Sequence, residues 1–306
     1  MGTAELVSLQ LRMFLIMLVG LFFRKKNIIS AEGKKNLTDL VIYLILPCNI
    51  VKSFMIEFDS ATLMNFGLIL VISVLIQIFC AVLAKVLYQR VKGPHRPVLM
   101  YATVASNSGF LGNPIAEGVF GSMGLALASV YLIPQRIVMW SAGVSYFTKG
   151  TCRKDVIRRV ATHPCIIAVF VGMLLMLTQI RLPFFLDAAL RDLGNCNTAM
   201  SMLVIGTILA DVRLKDMIDL TILRFSILRL VLLPLVVYAG CLLVSVDPLV
   251  TDVSVLLTAM PAASTTAILA AKYDGDAVYA SKCVVLSTVL SLPATPVWSM
   301  FLLRAV

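Results

Sequence analysis

The stretch SNSGFLGNPIAEGVFG, residues 106–121, stands inside a very hydrophobic chain and yet reads as a loop. It holds Asn107, Asn113 and Pro114, with Gly109, Gly112 and Gly118 ahead of Phe120. Helix-breaking residues free backbone N–H and C=O groups that lipid cannot satisfy, so a break at membrane depth survives only where protein or a water-filled cavity covers it. If its surroundings are membrane, the stretch marks a cavity.

The composition supplies that condition. Hydrophobic residues make up 60% of the chain and charged residues 14%, and the mean hydropathy is +0.97, against an apolar content of about 45–50% in globular proteins. At about 20 apolar residues per span, this length predicts an all-α polytopic membrane protein of roughly ten helices with no soluble domain. The apolar segments fall at 6–23, 37–56, 61–88, 97–120, 124–148, 163–179, 184–210, 217–244, 250–271 and 277–302. The first is too long for a signal-peptide core, and its basic cluster Arg24-Lys25-Lys26 follows it, so it reads as a retained helix.

The 26 Lys and Arg residues concentrate in alternate links. After segments one, three and five stand Lys34, Lys35, Lys85, Arg90, Lys92, Arg96, Lys149, Arg153, Lys154, Arg158 and Arg159; after seven and nine, Arg213, Lys215, Lys272 and Lys282. The opposite side has little beyond Arg12, Arg181, Arg191 and Arg304. The positive-inside bias makes the first set cytoplasmic and both termini extracytoplasmic. The net charge of +10 is thus a topology signal and predicts no nucleic-acid partner. Seven scattered cysteines without a CxxC pair, and only His95 and His163, give neither a disulfide framework nor a metal site. No nucleophile–base pair can be assembled, so no enzyme activity and no cofactor are predicted.

Five helices per half force the second copy to enter the membrane upside down, the inverted-repeat plan of many secondary transporters. With repeats at 1–150 and 151–306, an offset of 153 residues lays Phe120-Gly121 on Tyr273-Asp274, Ser108 on Pro261, and Gly112-Asn113 on Thr265-Thr266. The two most irregular segments, four and nine, then occupy the same place in each half. After each break a half-helix points its free N–H groups and positive dipole end into the gap, a site for an anion such as a carboxylate. Asn107, Ser108, Gly109, Asn113 and Pro114 in one half, with Pro261, Ser264, Thr265 and Thr266 in the other, are the expected substrate contacts.

At these residues the chain resembles the auxin efflux carrier family of membrane transporters. Residues 106–121 look like its fourth-helix crossover, with Asn107 at the crossing asparagine and Phe120-Gly121 at the closing aromatic-glycine pair; AMPAASTTAILAAKYDGDAVYAS, residues 259–281, is similar to its ninth-helix counterpart, with Pro261 at the crossing proline. YLILPCNIVKSF, residues 43–54, and CNTAMSMLVIGTILA, residues 196–210, resemble its second and seventh helices. The missing long loop between helices five and six is similar to the short bacterial, malate and malonate permease-like members. The resemblance implies the bile-acid-symporter-like fold, elevator movement, an organic-anion substrate and a plasma-membrane location. It also implies a scaffold of helices one, two, six and seven, dimerising through two and seven, and a transport part of helices three to five and eight to ten. Ser106 stands where plant carriers have proline, and Glu117 where a lysine is often found, a change of local charge that counts against auxin.

Arg136, near the middle of segment five, costs about 2.5–3.5 kcal/mol to insert and needs a facing group. The choices are a bound carboxylate, Glu117 or free carbonyls. Glu117 is the one carboxylate well inside a segment and the candidate for proton coupling; a sodium ion would instead need carbonyl, Ser, Thr or Asn oxygens. Pro47 with Asn49, and Asn195 with Asn197, match across the halves as second contacts to substrate or as interhelical hydrogen bonds. The expected function is secondary transport of a small organic anion, with a sodium-coupled symporter or an anion-binding membrane sensor as the alternatives.

Overall fold

The computed structural model describes residues 3–56, 60–91, 93–147, 158, 161–210, 219–273 and 275–305. Lys92, Lys149, Cys152, Arg153, Lys154, Arg159, Arg213, Lys215 and Asp274 lie outside them. The described chain is helical apart from turns and one isolated bridge. Its helices are α1 (Thr3–Lys25), α2 (31–53), α3 (Ser60–Leu87), α4 (His95–Val104), α5 (108–120), α6 (122–147), α7 (Pro164–Thr178), α8 (Phe184–Ala210), α9 (Leu220–Leu243), α10 (Pro248–Thr258), α11 (Thr265–Lys272) and α12 (Ala277–Ala305). Gly121, at φ 68° and ψ −159°, separates α5 from α6 with a backbone conformation that a residue carrying a Cβ rarely adopts.

Among the described residues, five helical runs are long and apolar enough to cross a membrane: Ser60–Leu87, Ser108–Phe147, Phe184–Ala210, Leu220–Leu243 and Ala277–Leu302. Their burial is that of lipid-facing helices. On α3, Met64, Val71, Leu75, Ile78 and Val82 are exposed while Thr62, Ser73 and Gln77 are buried. In water that pattern would be costly; in lipid it places polar side chains where protein can satisfy them. Ser73 Oγ, for example, donates to the Tyr131 carbonyl at 2.6 Å.

Starts and kinks follow from local chemistry. Ser30, Asp219 and Asp247 accept hydrogen bonds from Gly33, Thr221 and Val250 N–H and so cap α2, α9 and α10. Three helices widen into a π-turn just ahead of a proline: Val41–Ile45 before Pro47, Ser108–Gly112 before Pro114, and Leu228–Leu232 before Pro234. Proline brings no N–H and its ring crowds the carbonyl four residues back, and a wider turn relieves both. Glycines fit α1 against α8: a Cβ on Gly20 would meet the Leu203 backbone, and one on Gly206 the Met17 carbonyl.

The molecule is most deeply packed where the chain is broken. Residues 98–108 and 250–263 are buried almost without interruption. There Asn107 N–H donates to the Pro261 carbonyl at 2.8 Å and Ala263 N–H to the Ala105 carbonyl at 3.0 Å, with Ser106 and Ala262 as the antiparallel bridge between them. Each break thus supplies the backbone partners the other lacks. The half-chain register holds at the helix starts His95 and Pro248, but the bridge lies three residues later in the second half, so Ser106 pairs with Ala262 and Pro261 receives Asn107 instead of matching Ser108.

Candidate functional site

A cavity of about 130 Å³ opens beside the crossing. Ser106, Asn107, Gly109 and Phe110 line it from the α5 side, Ser264 and Thr265 from the start of α11, and Gln135 and Arg136 from α6. Ile42 and Leu46 of α2 and His163 and Cys165 at the start of α7 close it. The first turns of α5 and α11 both face this space, and the leading N–H groups of a helix have no acceptor within it.

Arg136 is 7% exposed, and its Nη1 has no hydrogen-bond partner among the described residues. A guanidinium stays protonated in proteins, so the group is a buried cation without a counter-ion among the described residues. It rests against Gly109, where a Cβ would come within 3.9 Å of Nη2. Of the three groups weighed to face Arg136, Glu117 is not its partner: it lies eight residues along α5 from Gly109, about 12 Å at helical rise, beyond an arginine's reach.

Gln135 fixes the break itself. Its Nε2 donates to the Ser106 carbonyl at 2.8 Å, and its Oε1 accepts from Ser106 Oγ at 3.0 Å. Ser108 Oγ reaches the Leu257 carbonyl at 2.9 Å and Ser106 Oγ at 2.5 Å. Across the crossing, Tyr101 donates to Thr265 Oγ1 at 3.1 Å, which leaves the threonine proton for another acceptor. The side chain of Asn107 lines the cavity with no protein partner of its own among the described residues.

Other predicted site residues stand elsewhere. Pro47 and Pro114 do not line the cavity; they set the π-turns whose residues do, Ile42 in α2 and Gly109 and Phe110 in α5. Asn113 and Thr266 are fully buried with unpartnered side-chain atoms and lie outside the lining. A second polar cluster joins α2, α5 and α8: Lys52 Nζ donates to Glu117 at 3.0 Å and to Asn195 Oδ1 at 3.1 Å, while Asn49 Nδ2 donates to the other Glu117 oxygen at 2.9 Å. Gly194 allows this approach, since a Cβ there would sit 3.1 Å from Asn49 Cα. Asn197 accepts from Ser201 and belongs to neither group.

Gln135, His163 and Lys52 were not expected. Two of them had a sequence signal, because Gln135 adjoins Arg136 and Lys52 is a cation within an apolar segment. Asp252 on α10 is a further buried carboxylate, 5% exposed, so Glu117 is not alone. No group of three or more metal-ligating side chains occurs among the described residues.

An uncharacterized transporter of Methanocaldococcus jannaschii is 26% identical over 300 residues, covering 95% of this chain and 96% of that protein. A second, from Methanothermobacter thermautotrophicus, is 28% identical over 309 residues, covering 99% of each. The profile of the family described as "Membrane transport protein" matches residues 6–156 and 150–299. Residues 106–121 and their partner across the break are therefore part of an integral membrane transporter, and the chain belongs to the membrane transport protein family, that of the auxin efflux carriers.

Proposed function

We propose that this protein is a secondary transporter that carries a small organic anion, held in the cavity beside the crossing. The buried Arg136 guanidinium, whose Nη1 has no hydrogen-bond partner among the described residues, carries the reading. A buried cation costs several kcal/mol, and a carboxylate offering two parallel hydrogen bonds is the ligand that removes the cost. Two helix N-termini add about half a charge each, so the site presents roughly two positive charges and favours a dianion over a monoanion. The volume limits its size. About 130 Å³ is close to the space that admits benzene. A dicarboxylate of about four carbons fits this limit, and an indole acid exceeds it.

The ten-span, inverted-repeat reading counts α4 with α5 and α10 with α11 as single broken spans, with both termini extracytoplasmic. An elevator movement accords with the cavity's walls. Ile42, Leu46 and His163 come from the helices assigned to the scaffold, whereas the crossing, Arg136 and Thr265 come from those assigned to the moving part. The glycine contacts of α1 with α8 suit a rigid scaffold that dimerises through α2 and α8. Glu117, at the boundary between the two parts, is the proposed site of proton coupling.

Uptake of labelled mono- and dicarboxylates into proteoliposomes tests the proposal. Dicarboxylates should exchange best. Arg136→Lys keeps the charge but loses the bidentate fork and should lower affinity about tenfold, while Arg136→Met should remove about 2–4 kcal/mol of binding. Because the empty site then no longer holds an unpaired cation, Arg136→Met should melt no lower than the parent. Full carboxylate transport by Arg136→Met would overturn the proposal.

A further inference from the structure

The crossing has two further poles, facing away from the cavity. The half-helices α4 and α10 run into it from opposite halves and end there with carbonyls left over from the helical ladder, each helix end carrying about half a negative charge. Hydroxyl groups finish the two ends alike. Thr103 donates to the Leu99 carbonyl at 2.8 Å and Thr258 to the Ser254 carbonyl at 2.8 Å. Since each threonine proton is thereby committed, Tyr88 and Tyr131 are the donors in their contacts with Thr103, at 3.3 Å, and Thr258, at 3.1 Å.

Arg229 breaks this likeness between the halves. It sits in the π-turn of α9, 3% exposed, and donates from Nη1 to the Thr103 carbonyl at 2.7 Å and from Nε to the Met260 carbonyl at 3.1 Å. One side chain therefore binds the carboxyl ends of both half-helices. Its other neighbours are Cys80, Tyr88 and Tyr131, and no carboxylate pairs with it among the described residues. Two poles of about half a charge amount to about one negative charge, which a single guanidinium balances.

Carbonyls at the ends of broken helices are the groups that bind coupling sodium ions in transporters of inverted-repeat design. We propose that Arg229 is a built-in substitute for such an ion, so that the crossing is complete without a bound alkali cation and anion transport by this chain is independent of sodium. The inference rests on the anion-carrier reading and adds to it which ion is not used. It also accounts for a buried arginine that, among the described residues, hydrogen-bonds carbonyl oxygens and pairs with no carboxylate, an arrangement whose energetic cost needs a compensating role.

Two measurements on the full chain test it. In proteoliposomes, dicarboxylate uptake should be the same within about twofold whether sodium or choline is present on both sides; uptake that requires sodium overturns the proposal. Independently of any substrate, the melting temperature of the purified wild type should not respond to sodium in place of choline. Arg229→Ser should melt lower, and low millimolar guanidinium or sodium should restore it where choline does not. Arg229→Lys, which keeps the charge, should lose less. An Arg229→Ser protein as stable as the parent, or one that no small cation restores, overturns the proposal. If Arg229→Ser is not recovered from membranes, wild-type uptake and melting in the two salts still decide. A wild type that transports no carboxylate would refute the anion-carrier reading, and the melting of Arg229→Ser would still decide the role of Arg229.

Discussion

The Lys52–Glu117 pair permits a quantitative test of how α2 is held to α5. At 3.0 Å and an effective dielectric of about 20, the gross attraction is roughly 5 kcal/mol. The side chains are 14% and 23% exposed, so most of their hydration is lost and the attraction is not screened as it would be at a surface. Removing one partner should therefore cost about 3–5 kcal/mol, because the other is left charged and buried. For a chain of this size about 2 °C of melting temperature corresponds to 1 kcal/mol, so Lys52→Met and Glu117→Gln should each melt about 6–10 °C lower. The double variant should recover more than half of that loss, a coupling read from the cycle. Thermal melts of the detergent-purified protein provide the assay. Single variants within about 1 kcal/mol of the parent, or purely additive losses, would refute the account. Combining Glu117→Gln with Arg136→Met should show no rescue, since those two side chains do not meet.

Two further outcomes follow. Gly206→Ala should destabilise by about 1–3 kcal/mol or more, because its Cβ meets the Met17 backbone, which cannot swing aside as a flexible side chain would; an unchanged melting temperature would show that α1 and α8 are not in fixed contact. Cys152, outside the described residues, should react with an impermeant thiol reagent only from the cytoplasmic side, and labelling from outside alone would reverse the proposed orientation.

The breaks were legible in the sequence because their cause is local. Asn107, Gly109, Gly112 and Pro114, or Pro261, are poor formers of an ordinary helix, and the chain leaves the helix beside them, at 105–107 and 259–264. The π-turns were not legible: proline marks the place, but whether a helix kinks or widens depends on what packs beside it. Counting residues from the half-chain length came within three of the pairing, and it failed at the crossing because α10 and the turn after it are longer than their counterparts. Glu117 and Arg136 look like a natural pair when only their depth in the membrane is known. Rotation about the helix axis and the two turns between Gly109 and Glu117 decide otherwise, and neither can be read from hydropathy. Gln135 escaped notice because a polar amide beside an arginine draws no attention until its two hydrogen bonds to Ser106 are seen.

The pairing of Ala105 and Asn107 with Ala263 and Pro261 also sets a condition on biosynthesis. The first break leaves the ribosome more than a hundred and fifty residues before its partner, and at about 5–20 residues per second that is a wait of roughly ten to thirty seconds. Throughout it, the Ala105 carbonyl and the Asn107 N–H have no partner in the nascent chain, and bare lipid cannot supply one. The N-terminal half must be sheltered for that time by water in the insertion channel, by a membrane chaperone or by a temporary coil, and the second half completes it on arrival. Translation speed between the two breaks thus becomes a variable in yield, and slowing it by synonymous codons should increase the loss of half-made chains to membrane proteases.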